Sequence, residues 1–277
     1  MPTSPQPPHH RLASPKRSEA VCAQGADVTR MLKHARPDPG MADDGDALNF
    51  CSTCAFSSAC LSQGYDKASL QELHVLVDHV GPFPEGSELF REGDPFNAIA
   101  AVRAGMVKTY VTDTHGREKV LGFYLPGEII GLNAIHSDRY PCNAVALNTV
   151  MLCHFSFPKM AMLATRMPGL QQQLFRLLSA DIGKAHLLAG DFSADERMAA
   201  FLLSLSRRYA QRGYSAQRFH LAMARTDIAN YLSLAPETVS RVLRRLQAEG
   251  ILQVDRRDFE ILDMAGLEAL ARDILRD

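Results

Sequence analysis

The sequence lacks three features that would each point to a class of protein. Its 277 residues hold 30 lysines and arginines against 31 acidic residues, so any nucleic-acid surface must be a local basic patch. No apolar run reaches the roughly 18 residues of a membrane span. The amino-terminal segment also lacks the apolar core typical of a secretory signal. We therefore expect no membrane contact and a cytoplasmic location, where structural disulfides are disfavoured.

Motifs of the common enzyme classes are missing as well. The chain contains no P-loop, no dinucleotide-binding fingerprint and no metal-hydrolase signature, and no spacing suggests a Ser/His/Asp set. We therefore expect a protein that is not an enzyme and has no catalytic residues.

The residues that are present divide the chain into four parts. Residues 1–46 are rich in Pro, Ser, Asp and Gly with little apolar periodicity, which predicts a disordered tail. Residues 47–166 combine a cysteine-rich loop with short apolar runs punctuated by glycines, a pattern typical of a compact antiparallel barrel or jelly roll. Residues 167–190 predict one long helix, and residues 191–277 predict short helices followed by a strand pair.

Apolar spacing predicts two helices, one on each side of the glycine-rich part. The first covers residues 67–80, and its apolar face holds Leu70, Leu73, Leu76 and Val77. The second covers residues 167–190, and its continuous stripe holds Leu170, Leu174, Leu178, Ile182 and Ala185. Such a stripe between two domains favours a dimer seam, although the same residues would also suit packing against the chain's own barrel.

Residues 226–250 have the pattern of two short helices joined by a tight turn. We expect Thr226 to cap the first helix, Pro236 to begin the second and Gly250 to end it. The inward faces of the two helices hold Ile228, Ala229, Leu232, Val239, Val242, Leu243 and Leu246. Two strands around Asp255–Asp258 then predict a wing. This order of elements is typical of winged helix-turn-helix DNA-binding domains.

The polar face of the second helix predicts how it reads DNA. The early residues of a recognition helix usually reach bases, which assigns this role to Glu237, Ser240 and Arg241. Glutamate accepts from cytosine N4, and arginine bridges guanine O6 and N7. Contacts to phosphates are expected from Thr238, Arg244 and Arg245. A merely solvated charged face is the alternative, but helix order, turn, basic face and wing together favour DNA binding.

Three of the six cysteines lie in one polar run, CSTCAFSSAC, at Cys51, Cys54 and Cys60. Thiols this close suggest a metal site, a thiol redox pair with a bystander, or coincidence. Iron–sulfur clusters take four thiolates. Zinc uses similar ligands, but structural zinc sites usually show a second closely spaced pair, which this chain lacks. An inert buried thiol suits Cys142 or Cys153 better than the cysteines of the polar run.

Four stretches carry a resemblance to a known family: CSTCAFSSAC, GFYLPGEIIGLNAI, LSRRYAQRGYS and ETVSRVLRRLQ. Over about residues 51–262, the chain resembles the FNR (fumarate and nitrate reduction regulator) branch of the CRP–FNR transcription regulators. The resemblance implies an α+β fold with a cyclic-nucleotide-binding-like β-roll (a double-stranded β-helix or jelly roll). A long dimerisation helix and a carboxy-terminal winged helix-turn-helix would follow the roll.

The resemblance also implies a cofactor. Oxygen-sensing members of the family hold a [4Fe–4S] cluster with three amino-terminal cysteines and one in the β-roll. The matching metal-binding and cofactor-binding residues here are Cys51, Cys54, Cys60 and Cys153. Cys153 looks like the family's fourth ligand position, whereas Cys142 does not. A regulator of the same fold that senses zinc, thiol oxidation or nitric oxide is the alternative.

Partners follow from the resemblance in the same way. The family pattern E-x-x-S-R recurs at Glu237, Ser240 and Arg241, and it implies a homodimer on a double-stranded DNA palindrome with TTGAT-type half-sites. Family analogy also suggests contact with RNA polymerase through loops such as Thr114–Lys119.

Cyclic AMP, which the CRP branch binds, is not expected as a ligand. That branch uses an acid after a glycine for the ribose, and an arginine followed by Ser or Thr for the phosphate. Here Leu132 replaces the acid and Tyr140 follows Arg139. A cyclic phosphate would therefore be buried without its paired cation and hydroxyl.

Overall fold

The computed structural model describes residues 60–61, 72–73, 76–187 and 190–275, and of residues 182–187 the backbone alone. The predicted tail 1–46 and two cysteines of the polar run, Cys51 and Cys54, therefore lie outside the described residues.

Eight strands build the first half of the described chain. They are β1 (Val77–Phe83), β2 (Glu88–Phe90), β3 (Ala98–Ala104), β4 (Val107–Thr112), β5 (Glu118–Tyr124), β6 (Ile129–Ile130), β7 (Asn143–Ala146) and β8 (Val150–Ser156). They form two four-stranded sheets with the orders β1-β8-β3-β6 and β2-β7-β4-β5. Both sheets contribute side chains to one apolar interior, which confirms the predicted antiparallel roll.

Strand β8 has apolar neighbours on both of its faces. Val150 and Leu152 point into the interior of the roll, whereas Cys153 and Phe155 belong to a second apolar group outside it. We call this second group the outer cluster. Successive side chains of a strand point to opposite faces, so neighbouring residues of β8 pack alternately in the interior of the roll and in the outer cluster. The outer cluster is covered by side chains from before and after the roll: Leu61, Leu73, Met160 and Leu170.

The helix predicted for residues 67–80 is wrong in its second half. Leu73 is helical and fully buried, but Val77 begins strand β1. β1 pairs along β8, with Val77 opposite Phe155. Sheet pairing overrides helical spacing here because the edge of β8 would otherwise carry unpaired backbone groups.

The sequence THG at Thr114–Gly116, a hairpin signal between two strand-like runs, lies in the turn of the hairpin formed by β4 and β5. The Asp113 carboxylate accepts hydrogen bonds from the amides of His115, at 2.8 Å, and Arg117, at 2.9 Å. Gly116 has a φ of 77°, a left-handed conformation that glycine adopts without steric cost.

Two helices follow the roll, α1 (Phe157–Ala164) and α2 (Pro168–Leu187). α2 confirms the long helix predicted from residue 167, but Leu170, at the start of its stripe, is fully buried in the chain's own outer cluster. Phe175, five residues later, is 60% exposed. Leu174 and Leu178 of the stripe pack against the same outer cluster. The first half of α2 therefore packs on the chain's own roll, and a dimer seam farther along the helix stays a proposal.

The domain boundaries predicted after residues 166 and 190 also stay proposals. They fall in the connections before and after α2. Of the helices that the structure describes, none is long and apolar enough to cross a membrane.

Helices and short strands build the second half of the chain. They are α3 (Ala194–Ala210), β9 (Arg218–His220), α4 (Arg225–Tyr231), α5 (Pro236–Ala248), β10 (Leu252–Asp255), β11 (Asp258–Ile261) and α6 (Met264–Ala271). The three strands pair in the order β10-β11-β9. A capping box starts α3: the Ser193 hydroxyl accepts from the Glu196 amide, and the Glu196 carboxylate accepts from the Ser193 amide.

A buried ionic group joins the two halves. Arg208 of α3 donates to both carboxylate oxygens of Glu128, at 2.8 and 2.5 Å, and to the Phe123 carbonyl at 2.6 Å. Arg212 reaches the same carboxylate at 3.0 Å and also donates to the Pro126 carbonyl. The three charged side chains are at most 18% exposed. The added bonds to carbonyls help to offset the cost of burying these charges.

Helix α4 is fastened to the edge strand β5. Asn230 Oδ1 accepts from the Val120 amide at 2.7 Å, and Asn230 Nδ2 donates to the Glu118 carbonyl at 2.6 Å. The Asn230 amide thus bonds to the strand as a neighbouring strand would. Lys108, only 8% exposed, bridges Glu118 and Asp227 at 3.0 and 2.9 Å. These contacts fix the orientation of α4 relative to the roll.

We expect Glu128→Ala to lower the free energy of unfolding by about 3 kcal/mol, because two buried guanidinium groups lose their carboxylate. The matched control is Glu88→Ala, which removes the partner of the exposed Arg91 and should cost less than about 1 kcal/mol. Urea denaturation of both variants measures the difference, and equal losses would contradict the importance of the interdomain group.

Candidate DNA interface and cysteine site

Helices α4 and α5 confirm the helix-turn-helix predicted for residues 226–250. Their inward residues are exposed by 2% or less: Ile228, Ala229, Leu232, Val239, Val242, Leu243 and Leu246. The turn between them is tight, with a φ of 56° at Ser233 and a hydrogen bond of 2.8 Å from the Leu234 amide to the Ala229 carbonyl.

The ends of the two helices agree only in part with the sequence analysis. The Thr226 cap is wrong: Ala224 is the N-cap of α4, without a side-chain hydrogen bond. Its carbonyl already accepts from the Ile228 amide at 3.1 Å, so the first turn closes before Thr226 can cap it. Pro236 does begin α5, and Gly250 follows its end with a φ of 73°.

The polar face of α5 presents the residues assigned to DNA. Glu237, Arg241, Arg244 and Arg245 are exposed, and Thr238 and Ser240 are half-buried. The Ser240 hydroxyl donates to the Pro236 carbonyl at 3.1 Å, and Arg241 donates to the Thr238 hydroxyl at 3.0 Å. The contact with Thr238 holds Arg241 near the first turn of α5, the part of a recognition helix that usually reaches bases.

Arg245 has a partner that the sequence analysis missed. Its Nε donates to Asp195 of α3 at 3.0 Å, and this hydrogen bond raises the pKa of Arg245. A guanidinium held by a carboxylate presents less positive charge to a phosphate. Of the two arginines assigned to phosphates, Arg244 is therefore the better placed.

The predicted wing is confirmed by β10 and β11. The two strands pair up to Asp255 and Asp258, and Arg256 at the tip has a φ of 54°. Arg256 and Arg257 are both exposed, so the wing adds two cations to the domain that contains α5.

Two of the four predicted [4Fe–4S] ligands, Cys60 and Cys153, lie within the described residues. Cys60 and Cys153 are both half-buried, and both pack against the outer cluster. The Sγ atom of Cys153 lies 3.4 Å from Nδ1 of His79. Within the described part of the chain, no three His, Cys, Asp or Glu side chains form a metal-binding group. Cys51 and Cys54 lie outside that part.

Cys142 has a different environment. It is 1% exposed and belongs to the interior of the roll. Burial raises the pKa of its thiol, and Asn133 Nδ2 donates to its Sγ at 3.5 Å. Cys142 is therefore enclosed by the two sheets, on the other side of β8 from Cys60 and Cys153.

The positions that the CRP branch uses for cyclic AMP serve other purposes here. Leu132 is 6% exposed, and Arg139 lies at the surface, where it donates to the Gly93 carbonyl at 2.6 Å. Tyr140 points into the roll, where its ring stacks on Phe90 at 4.0 Å. These contacts hold the arginine in a surface loop and fill the adjacent interior with an aromatic pair.

Two family models match this chain. Residues 81–166 match the cyclic nucleotide-binding domain and residues 196–270 match the Crp-like helix-turn-helix domain. The transcriptional activator protein anr of Pseudomonas aeruginosa is 41% identical over 224 residues, which are 80% of this chain and 92% of that protein. The chain belongs to the CRP–FNR family.

Other relatives place this CRP–FNR protein in the FNR branch. The anaerobic regulatory protein of Pasteurella multocida is 40% identical over 230 residues, 82% of this chain and 84% of that protein. The fumarate and nitrate reduction regulatory protein of Salmonella typhimurium is 39% identical over 230 residues, 82% of this chain and 92% of that protein. The chain is thus a DNA-binding transcription regulator.

A solved structure supports the same fold. FixK2 from Bradyrhizobium japonicum matches with a TM-score of 0.63 and 26% identity, covering 70% of this chain and 96% of that chain. Together with the two family models, this match confirms the expected α+β architecture of a CRP–FNR protein, a β-roll followed by a helix-turn-helix domain.

We expect Cys142 to resist alkylation in the folded, metal-free chain. Its enclosure and its raised thiol pKa leave little accessible thiolate near neutral pH. Mass spectrometry after brief treatment with iodoacetamide should find Cys60 and Cys153 modified well before Cys142. Early labelling of Cys142 would contradict its place inside the roll.

Proposed function

We propose that this protein is an oxygen- or redox-responsive regulator of the FNR type, which binds DNA as a homodimer when a [4Fe–4S] cluster is bound. The observation that carries the proposal is that Cys60 and Cys153 pack on the same outer cluster of the roll. The names of the relatives, a transcriptional activator, an anaerobic regulator and a fumarate and nitrate reduction regulator, support it.

The proposed ligands are Cys51, Cys54, Cys60 and Cys153. They fit the group because iron–sulfur clusters are held by four thiolates, and Cys153 offers one from a strand that is paired on both sides. Leu61, next to Cys60, is fully buried and ties the end of the polar run to the roll. When bound, such a cluster supplies an oxygen-labile iron centre.

The outer cluster also offers a path from the cysteines to the long helix. Cys60, Cys153 and Leu170 of α2 pack in the same group of side chains. Any change in how Leu61 and Cys60 pack therefore alters the contacts that position the start of α2. Packed interiors switch between discrete arrangements rather than deform smoothly. We therefore propose that loss of the [4Fe–4S] cluster shifts α2 and weakens the pairing of the two protomers.

The dimer would present two α5 helices about 34 Å apart, one turn of DNA. Glu237, Ser240 and Arg241 are the proposed base readers on a palindrome with TTGAT-type half-sites. The proposed phosphate contacts are Thr238 and Arg244, with a smaller part for Arg245. The hairpin loop Thr114–Lys119 is a proposed surface for RNA polymerase, on family analogy alone. We also propose that the protein is located in the cytoplasm.

Two cysteine variants test the ligand set. Anaerobically purified wild-type protein should show broad visible absorption and about four irons per monomer. Cys153→Ser should lose both, because it removes one of the four thiolates. Cys142→Ser is the matched control and should keep both, because Cys142 lies inside the roll. The reverse pattern would make Cys142 the fourth ligand, and a colourless wild-type protein containing zinc would favour the zinc alternative.

Two arginine variants test the base readers. Arg241→Ala should weaken binding to the TTGAT palindrome at least about 30-fold, because each of the two half-sites loses a bidentate contact to guanine worth about 1–3 kcal/mol. Arg245→Ala is the matched control. It should lower the affinity less than Arg241→Ala, and by the same factor on any DNA sequence, since Asp195 already holds the Arg245 side chain. Fluorescence anisotropy on the palindrome and on a scrambled duplex measures both, and unchanged discrimination by Arg241→Ala would contradict its role.

A further inference from the structure

We propose that His79 is a positioning residue for the fourth cluster ligand, with its imidazole donating a hydrogen bond to the Cys153 thiolate. The proposal rests on the proposed function, because it concerns the ligand assigned there. It adds a residue on β1, outside the polar run and outside the four cysteines, that controls how firmly the site retains iron.

The strand pairing fixes the contact. β1 and β8 are antiparallel, and His79 stands directly opposite Cys153 in their register. Side chains directly opposite each other in such a pair lie side by side on one face. Nδ1 of His79 is 3.4 Å from Sγ of Cys153, within reach of a hydrogen bond to sulfur. Both side chains are half-buried, so water competes less for the contact than it would at an exposed site.

Of the two residues directly opposite Cys153 on the neighbouring strands, His79 is the one whose side chain can donate a hydrogen bond to it. Cys153 lies between β1 and β3, and its partner on β3 is Ala101, whose side chain has no polar atom. A thiolate bound to iron can only accept hydrogen bonds. Nδ1 of His79 must therefore carry the proton when the ligand is in place.

The expected effect follows from how metal ligands are held. Hydrogen bonds to ligand atoms orient them, and losing such a partner typically weakens metal binding about 10- to 100-fold. Hydrogen bonds to cluster sulfurs also stabilise their negative charge. Without His79, the Cys153 thiolate is less well oriented and less well stabilised, so iron should leave the site faster.

Three variants separate this role from a purely structural one. His79→Leu replaces the imidazole donor with an apolar side chain of similar size. His79→Asn keeps an N–H donor close to the position of Nδ1. His154→Asn is the matched control: His154 is the next residue on β8, and successive residues of a strand point to opposite faces.

The measurement is the rate at which each reconstituted protein loses iron to a chelator under argon, so that oxygen plays no part. His79→Leu should lose iron roughly tenfold faster than wild type. His79→Asn should lie close to wild type, and His154→Asn should match it. Equal rates for His79→Leu and wild type would overturn the proposal. So would equal acceleration by the leucine and asparagine variants, because that would indicate a structural effect.

A second readout separates this proposal from the proposed function. If wild-type protein takes up no iron, the proposed function fails, and the hydrogen bond is judged in the metal-free chain by the alkylation rate of Cys153. A donor that stabilises the thiolate makes the thiol more reactive, so His79→Leu should react more slowly with iodoacetamide than wild type or His79→Asn. An unchanged rate would overturn the hydrogen bond itself.

Discussion

The alternation of side chains along β8 is the constraint on which the candidate sensing site depends. Because successive residues of a strand face opposite ways, Leu152 fills the interior of the roll while Cys153 faces the outer cluster. Cys60 packs on the same outer cluster, whereas Cys142 is enclosed inside the roll. The alternation along β8 thus places Cys153 on the side of the roll that Cys60 packs against, and the pairing of β1 with β8 places His79 beside Cys153.

The helix-turn-helix domain is connected to the roll through contacts of a different kind. The buried group of Glu128, Arg208 and Arg212 fastens α3 to the loop before β6. Asn230 completes the edge of β5 from α4, the first helix of the helix-turn-helix. Between them, these contacts make the orientation of α5 depend on the roll. The roll and the helix-turn-helix domain thus meet directly at Glu128 and along the edge of β5.

Sequence patterns predicted the elements whose periodicity is local. The core faces of α4 and α5, the hairpin at Gly116 and the wing follow from spacing and turn residues, and the family resemblance supplied the order of the domains. What the sequence could not predict depends on partners distant in the chain. Val77 has helical spacing but pairs with Phe155 in a sheet. Because the sequence predicts a helix here, it gives no sign that His79 lies opposite Cys153. The Arg245–Asp195 contact likewise joins residues of separate helices, and no local pattern signals it.

We propose that the cysteine site controls DNA binding. The most direct measurement is the affinity of anaerobic wild-type protein for a TTGAT-type palindrome, followed during exposure to air together with its iron content. We expect the affinity to fall as iron is lost, and the protein to shift from dimer to monomer over the same interval. An affinity that stays constant after all iron has been lost would contradict this control, even though the chain would still be a DNA-binding member of the family.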